Sequence, residues 1–281
     1  MLMRRVLAAA TFTIKRASKG LSETARLLDL ARLDLDYRRD ERDIFIASYP
    51  KSGTTWVQMI LYQLTTDGQK TISHIDEVSP HLEETLLWSG RTISDLPPPR
   101  IVKTHLTYRR VPKGPGRYLY VLRDGRDVAA SYYHQQHSAH RDFASYFTVF
   151  MRGTLPYGSW FAHVAAWLRN PRHLRLHVVR YEDLVADLEG SIRRIAEFCE
   201  LPIDPDQLPR IVRNCTFEAM KENESLFNLT NRFRARFGEP PRMIRNGQVG
   251  DWRNHLDGAM QARFAAALRS SGIPERDAAS L

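Results

Sequence analysis

The segment Tyr49-Pro50-Lys51-Ser52-Gly53-Thr54-Thr55-Trp56 gathers residue types suited to holding an anion. Gly53 lets the backbone approach closely, Thr54 and Thr55 bring hydroxyl donors, and Lys51 brings a mobile positive charge. Backbone N–H groups at a helix start are unpaired and lie along a favourable dipole, so a strand-to-helix junction of this composition suits phosphate. It is not the nucleotide loop GxxxxGK[ST], because Lys51 precedes Gly53 instead of following it. A plain turn with a threonine cap is the alternative. A second cluster, Arg123-Asp124-Gly125-Arg126-Asp127, leads to Ser131 eight residues after Arg123. Arg123 can grip a phosphate with two hydrogen bonds and Ser131 can add a hydroxyl, unless Arg123, Arg126 and Asp127 pair among themselves. Among ten histidines, His105 stands apart because it follows Lys103-Thr104 where an apolar run ends, and α/β proteins place ligands at such strand ends.

These groups need elements to hold them. Asp43 to Tyr49 reads as a strand ending at Pro50 and Gly53, and Thr55 to Leu64 as a buried helix. Further strands are expected at Ile101 to Thr104, Arg117 to Leu122 and Leu174 to Arg180. Helical patterns run over Val128 to Gln136, Gly158 to Arg169, Ser191 to Glu200 and Ala259 to Ser270. That alternation predicts an α/β fold with a mostly parallel central sheet and helices on both faces. Pro97-Pro98-Pro99 reads as a rigid polyproline II connector. Ser225 to Gly250 is polar and holds Arg232, Arg234, Arg236, Arg242 and Arg245 with little periodicity, as a lid or binding segment would.

The chain has 281 residues, 43% of them apolar, and a formal charge of +9 from 41 basic and 32 acidic side chains. This balance fits a folded globular chain and excludes wholesale disorder. Two cysteines, Cys199 and Cys215, are too few for a disulfide scaffold and match no zinc spacing. No metal is expected, since HExxH, DxDxDG and Cys/His clusters are absent from the sequence. No run of 18 apolar residues occurs, and a reducing, cytoplasmic setting is expected. Residues 1–42 are expected to form a basic amphipathic helical lead-in that packs or is solvated, with membrane contact as the alternative. Residues 43–281 are expected to form the functional domain.

The YPKSGTTW segment resembles the 5′-phosphosulfate loop of the sulfotransferase family, in particular its cytosolic small-molecule branch. The resemblance runs over about residues 43 to 271. It implies a single P-loop-like domain that uses 3′-phosphoadenylyl sulfate (PAPS) as donor, with Lys51, Ser52, Gly53, Thr54 and Thr55 around the 5′ end. Arg123 and Ser131 match the family's 3′-phosphate site. Arg245-Asn246-Gly247 resembles its C-terminal Arg-Lys-Gly triplet, except that Asn246 removes one charge. Trp56 and Phe217 would lie against the adenine and Tyr181 at its edge, and Cys215 stands where the family commonly has Thr. The KTHL segment resembles the catalytic segment, which implies His105 as base, Lys103 steadying the transferring group and Lys51 at the bridging oxygen. Imidazole chemistry suits that base and lysines suit a leaving phosphate, so the rate is expected to rise with pH to a plateau above a pKa not far from 7. The family's dimerisation pattern is absent after Arg253, so no oligomeric state is implied.

The expected partner is a small acceptor with a hydroxyl or amine, not nucleic acid. Its pocket should draw on Leu82 to Leu96, Tyr133 to Ala144 and Phe227 to Phe237, whose apolar and aromatic content suggests a hydrophobic molecule. A carbohydrate or lipid acceptor is the alternative. A kinase would want lysine after the loop's last glycine, where Thr54 stands. A nucleic-acid module would line one face with its charge, whereas these basic residues fall into separate loops beside glycines.

Overall fold

The computed structural model describes residues 40–67, 72–83, 93–136, 142–227, 244–278 and 281. Of the expected lead-in at 1–42, residues 1–39 lie outside the described residues, as does most of the arginine-rich segment, 228–243. Four strands, β1 (Ile44–Ser48), β2 (Ile101–Thr104), β3 (Arg117–Leu122) and β4 (Leu176–Arg180), form one sheet in the order β2-β1-β3-β4. Every pairing is parallel, with Ile44 opposite both Ile101 and Arg117, and Tyr118 opposite Leu176.

Strand alternation splits the core into two layers. Ile44 and Ile46 of β1 join Leu119 and Val121 of β3 on the face covered by α1 (Thr54–Thr66). Phe45, Ala47, Tyr118 and Tyr120 line the other face, covered by α2 (Gly125–Gln136), α3 (Phe143–Arg152) and α4 (Trp160–Arg169). After β4 come α5 (Tyr181–Ala186), α6 (Leu188–Cys199), α7 (Leu208–Asn214) and α8 (Phe217–Glu222), then α9 (Gly258–Ser270) and α10 (Glu275–Ala278). α6 packs its buried Ile192, Ile195 and Cys199 on the α1 side, whereas Phe264 of α9 packs against Trp160 and Phe161 of α4.

The chain leaves β1 through α1 on one face and leaves β3 through α2 on the other. A parallel sheet opens a crevice where adjacent strands send their connections to opposite faces, at the carboxyl ends of those strands. That point lies between β1 and β3, and it is where Lys51–Thr54 and Arg123 sit.

The expected strands at Ile101–Thr104 and Arg117–Leu122 are present with those bounds, while β4 starts at Leu176 because Leu174 is still bound to the Asn170 side chain in the preceding turn. α2 begins three residues earlier than its periodicity suggests. Gly125 occupies its first position because a Cβ there would come within 2.8 Å of Trp160 and Phe264. α3 was not expected; Asp142 caps it by accepting from the Ser145 N–H, and Tyr146, Phe147 and Phe150 bury its apolar face. The Pro98–Pro99 peptide bond is cis. Among the described residues no helix is long and apolar enough to cross a membrane.

Candidate active site

The phosphate loop turns on two residues with left-handed backbone, Lys51 (φ 69°) and Gly53 (φ 101°). Holding a lysine there costs about 1 kcal/mol or more, which the packed surroundings must offset. Gly53 caps α1 with its carbonyl, accepting from the Trp56 and Val57 N–H groups, so the cap is the glycine and not a threonine. A side chain at Gly53 would meet the Tyr181 ring at 2.7 Å, which requires glycine twice over. Ser52 and Thr54 are buried, and Thr54 Oγ1 shares a 2.6 Å hydrogen bond with Ser48 Oγ.

Lys51 is half-buried, and its ammonium has no carboxylate partner within salt-bridge distance among the described residues. Burial, and then the Arg123 and Arg245 guanidinium groups, pull its pKa down to about 8. It is still mostly protonated at neutral pH. Three cations facing one loop are mutually repulsive, and an anion between them relieves that repulsion.

His105 follows β2 and reaches across to the end of β1. Its Nδ1 lies 3.0 Å from the Ser48 carbonyl and 3.3 Å from Ser48 Oγ. A carbonyl can only accept, so Nδ1 carries the proton and Nε2 keeps its lone pair. The main chain of His105 is fixed at both ends: its N–H donates to Glu83 Oε1 at 2.8 Å, and His163 Nε2 lies 3.3 Å from its carbonyl. His81 and Tyr157 each stand edge-on to the imidazole, with ring centroids 5.3 Å away. Burial above all, with His81, Lys103 and His163 adding repulsion, holds the His105 pKa well below 6.5. This corrects the expectation of a value near 7: a surface histidine would have that value, and this one is not on the surface. Lys103 sits with its ammonium 3.6 Å from Asp76, whose other carboxylate oxygen lies 3.5 Å from His74.

Arg123 leaves the end of β3 and donates to two carbonyls, Lys51 at 3.2 Å and Gln248 at 3.0 Å. Its guanidinium lies 4.1 Å above the Tyr181 ring, and its buried Nε has no hydrogen-bond partner. The alternative in which Arg123, Arg126 and Asp127 pair among themselves is met in part, at the Arg123–Asp127 contact. Arg126 binds Asp124, while Asp127 stands 3.9 Å from Arg123 and bonds elsewhere. Ser131 lies half-buried two turns along α2. Arg245 forms an ion pair with Asp251, Asn246 is exposed, and Gly247 (φ 64°) lies so close to Phe217 that a Cβ would meet its ring at 2.4 Å.

Trp56 is buried, edge-on to Tyr181 at 5.5 Å, and its indole N–H donates to the Cys215 carbonyl at 2.7 Å. The Cys215 contribution is therefore main-chain, and its thiol is buried with its pKa pushed up by desolvation. Tyr181 forms the common wall between loop, tryptophan and Arg123. Among the described residues no group of three or more His, Cys, Asp or Glu side chains is placed to hold a metal ion.

The sulfotransferase domain family matches residues 41–272 of this chain. The protein belongs to the sulfotransferase family. It is an enzyme of PAPS-dependent sulfuryl transfer. Sulfotransferase 1E1 of Mus musculus is 32% identical over 238 residues, covering 79% of this chain and 80% of that protein. Sulfotransferase 1C2 of Homo sapiens is 34% identical over 252 residues, covering 81% and 82%. The solved structure of retinol dehydratase in complex with androsterone and the inactive cofactor PAP superposes with a TM-score of 0.73 at 25% identity, covering 88% of this chain and 84% of that one.

In this sulfotransferase the fold brings together Lys51, Ser52, Gly53, Thr54, Trp56, Tyr181 and Arg123 through direct contacts, with His105 joined to Thr54 through Ser48. Gln248 links the Arg245–Gly247 segment to Arg123. Thr55 is half-buried at the second position of α1, and Lys103 faces Asp76. Sequence reasoning missed Ser48, His81 and His163 around His105. Their partners lie 57 or 58 residues away or on another element, and no local spacing marks them. The Leu82–Leu96 and Tyr133–Ala144 segments expected to line the acceptor pocket are described only in part, and Phe227 alone of the third.

Proposed function

We propose that this sulfotransferase moves the sulfuryl group of PAPS to a hydroxyl or amine of a small hydrophobic acceptor, with His105 as general base, and that residues 43–281 form the domain that does so. The observation that carries the base assignment is the bond from His105 Nδ1 to the Ser48 carbonyl, which leaves Nε2 unprotonated. The depressed pKa keeps that nitrogen free of a proton at neutral pH.

The residues present suit the donor. Lys51, the α1 N-terminus, Arg123 with its unpartnered buried Nε, and Arg245 supply positive charge around the loop, which suits an anionic nucleotide. The bound donor supplies an activated sulfuryl group on a phosphate oxygen. His105 Nε2 takes the acceptor's proton as its oxygen or nitrogen bonds to sulfur. The Lys51 ammonium and the N–H groups of the loop meet the charge left on the bridging oxygen when its bond to sulfur breaks. Trp56, Phe217 and Tyr181 offer ring faces and edges to the base, and Ser131 with Gly247 completes the 3′ end. Lys103, held beside Asp76, serves the transferring group.

His81 and Tyr157 beside the imidazole favour an acceptor with an apolar or aromatic body over a sugar. Supplying labelled PAPS with a panel of hydrophobic phenols, alcohols and amines alongside glycans tests this reading. Labelled phenols, alcohols or amines are expected, and label appearing on glycans alone would overturn the acceptor class.

A further inference from the structure

The two halves of the second anion site lie more than a hundred residues apart in the chain, and a buried carboxylate bonds across them. Asp127 lies in the first turn of α2 and is 1% exposed. Its Oδ2 accepts from the Gly250 N–H at 2.8 Å and its Oδ1 from the Trp252 N–H at 2.9 Å, across 123 and 125 residues of sequence. Around it, Arg126 stacks on the Trp252 indole at 4.2 Å, and Arg123 donates to the Gln248 carbonyl. Gly250 turns the chain with φ 85° at this point, directly before the turn Asp251–Asn254.

We propose that Asp127 is a positioning residue for the donor: it fastens the segment from Arg245 to Trp252 onto the helix that carries Ser131, so that Arg245 and Arg123 face the same anion. The inference rests on the reading that these two arginines meet the 3′-phosphate. A carboxylate suits the task because both of its oxygens accept, and N–H groups bonded to an ionised acceptor are held more firmly than by a neutral one. Its charge, 3.9 Å from Arg123, also offsets the repulsion that would drive the arginine-bearing segment away from α2. An amide in its place keeps one acceptor and turns an N–H toward the other donor.

Calorimetry on the full chain with adenosine 3′,5′-bisphosphate and with adenosine 5′-monophosphate tests this. Asp127→Asn should weaken the bisphosphate about 10- to 100-fold, the range for a charged hydrogen bond, and leave the monophosphate unchanged. Donor KM should rise while kcat at saturating donor holds, and adding Arg245→Ala to Asp127→Asn should cost little more, since both act through one segment. Equal weakening of both nucleotides, no weakening, or full additivity with Arg245→Ala would overturn the proposal. If Asp127→Asn does not fold, Asp127→Glu, which keeps the carboxylate and shifts it by one methylene, carries the same comparison. An Arg123→Ala enzyme that still prefers the bisphosphate overturns the 3′-phosphate reading and this inference with it. Loss of preference in Arg123→Ala but not in the Asp127 variants overturns this inference alone.

Discussion

The end of the crevice around Lys51 and His105 and the end around Arg123 and Arg245 hold their charged and titratable side chains by different means. The first is built from residues that directly follow two neighbouring strands, β1 and β2. Its groups are fixed by main-chain bonds, with His105 tied at Nδ1, N–H and carbonyl, and it is desolvated enough to move two pKa values. The second is assembled from the end of β3 and a segment more than a hundred residues later, joined by Asp127, and its Asn246 is exposed. Burial shifts protonation at one end. At the other the charges are guanidinium groups, whose proposed role is recognition.

The comparison breaks most visibly at His105. His105→Ala should cut the transfer rate by about 10²–10⁴-fold, the contribution of a positioned base, with bisphosphate affinity intact. Single-turnover measurement of labelled product checks this, and an undiminished rate would move the base to another group such as Glu83. At the other end, Arg123→Ala should weaken adenosine 3′,5′-bisphosphate by about 1.5–3 kcal/mol and hardly touch the monophosphate. Comparable losses for both nucleotides would mean that Arg123 acts at the 5′ end.

The pH profile separates the two ends again. His105 has a lowered pKa, so its neutral form persists down to well below pH 6.5, and the rising limb of donor kcat/KM should lie there and not near 7. Lys51 also has a lowered pKa, so its charge is lost as pH rises through about 8, and kcat/KM should fall above that point by up to about tenfold per unit. Lys51→Arg, which keeps its charge at all these values, should abolish the falling limb even if the rate drops. A falling limb that survives in Lys51→Arg belongs to another group. The smallest effect is expected at Asn246. Asn246→Lys adds an exposed charge beside the 3′ site and should tighten bisphosphate binding by no more than about 1 kcal/mol, an advantage that added salt removes.

The parts of the site legible in the sequence are those made by neighbours in the chain. Gly53 after a β-rich run, Arg123 at the end of another and the KTH triplet each declare a strand end by local pattern, and β2 and β3 have the bounds that pattern predicts. α3 was missed because its first residues were assigned to the pocket segment Tyr133 to Ala144, and its cap at Asp142 takes effect only once the aromatic face is buried.

The sequence by itself determined the strand-loop-helix order, the chemistry of each candidate anion-binding segment and the identity of the candidate base. These follow from residue type and from periodicity over a few residues, which act within one turn or one strand. Only the tertiary structure decided which His105 nitrogen is free, how far its pKa falls, that Tyr181 walls the loop from Arg123, and that Asp127 joins Gly250 and Trp252 to α2. Each of these depends on groups 57 or more residues apart, or on how much water several packed elements exclude. Desolvation and hydrogen-bond direction are properties of that packing, and no stretch of chain carries them alone.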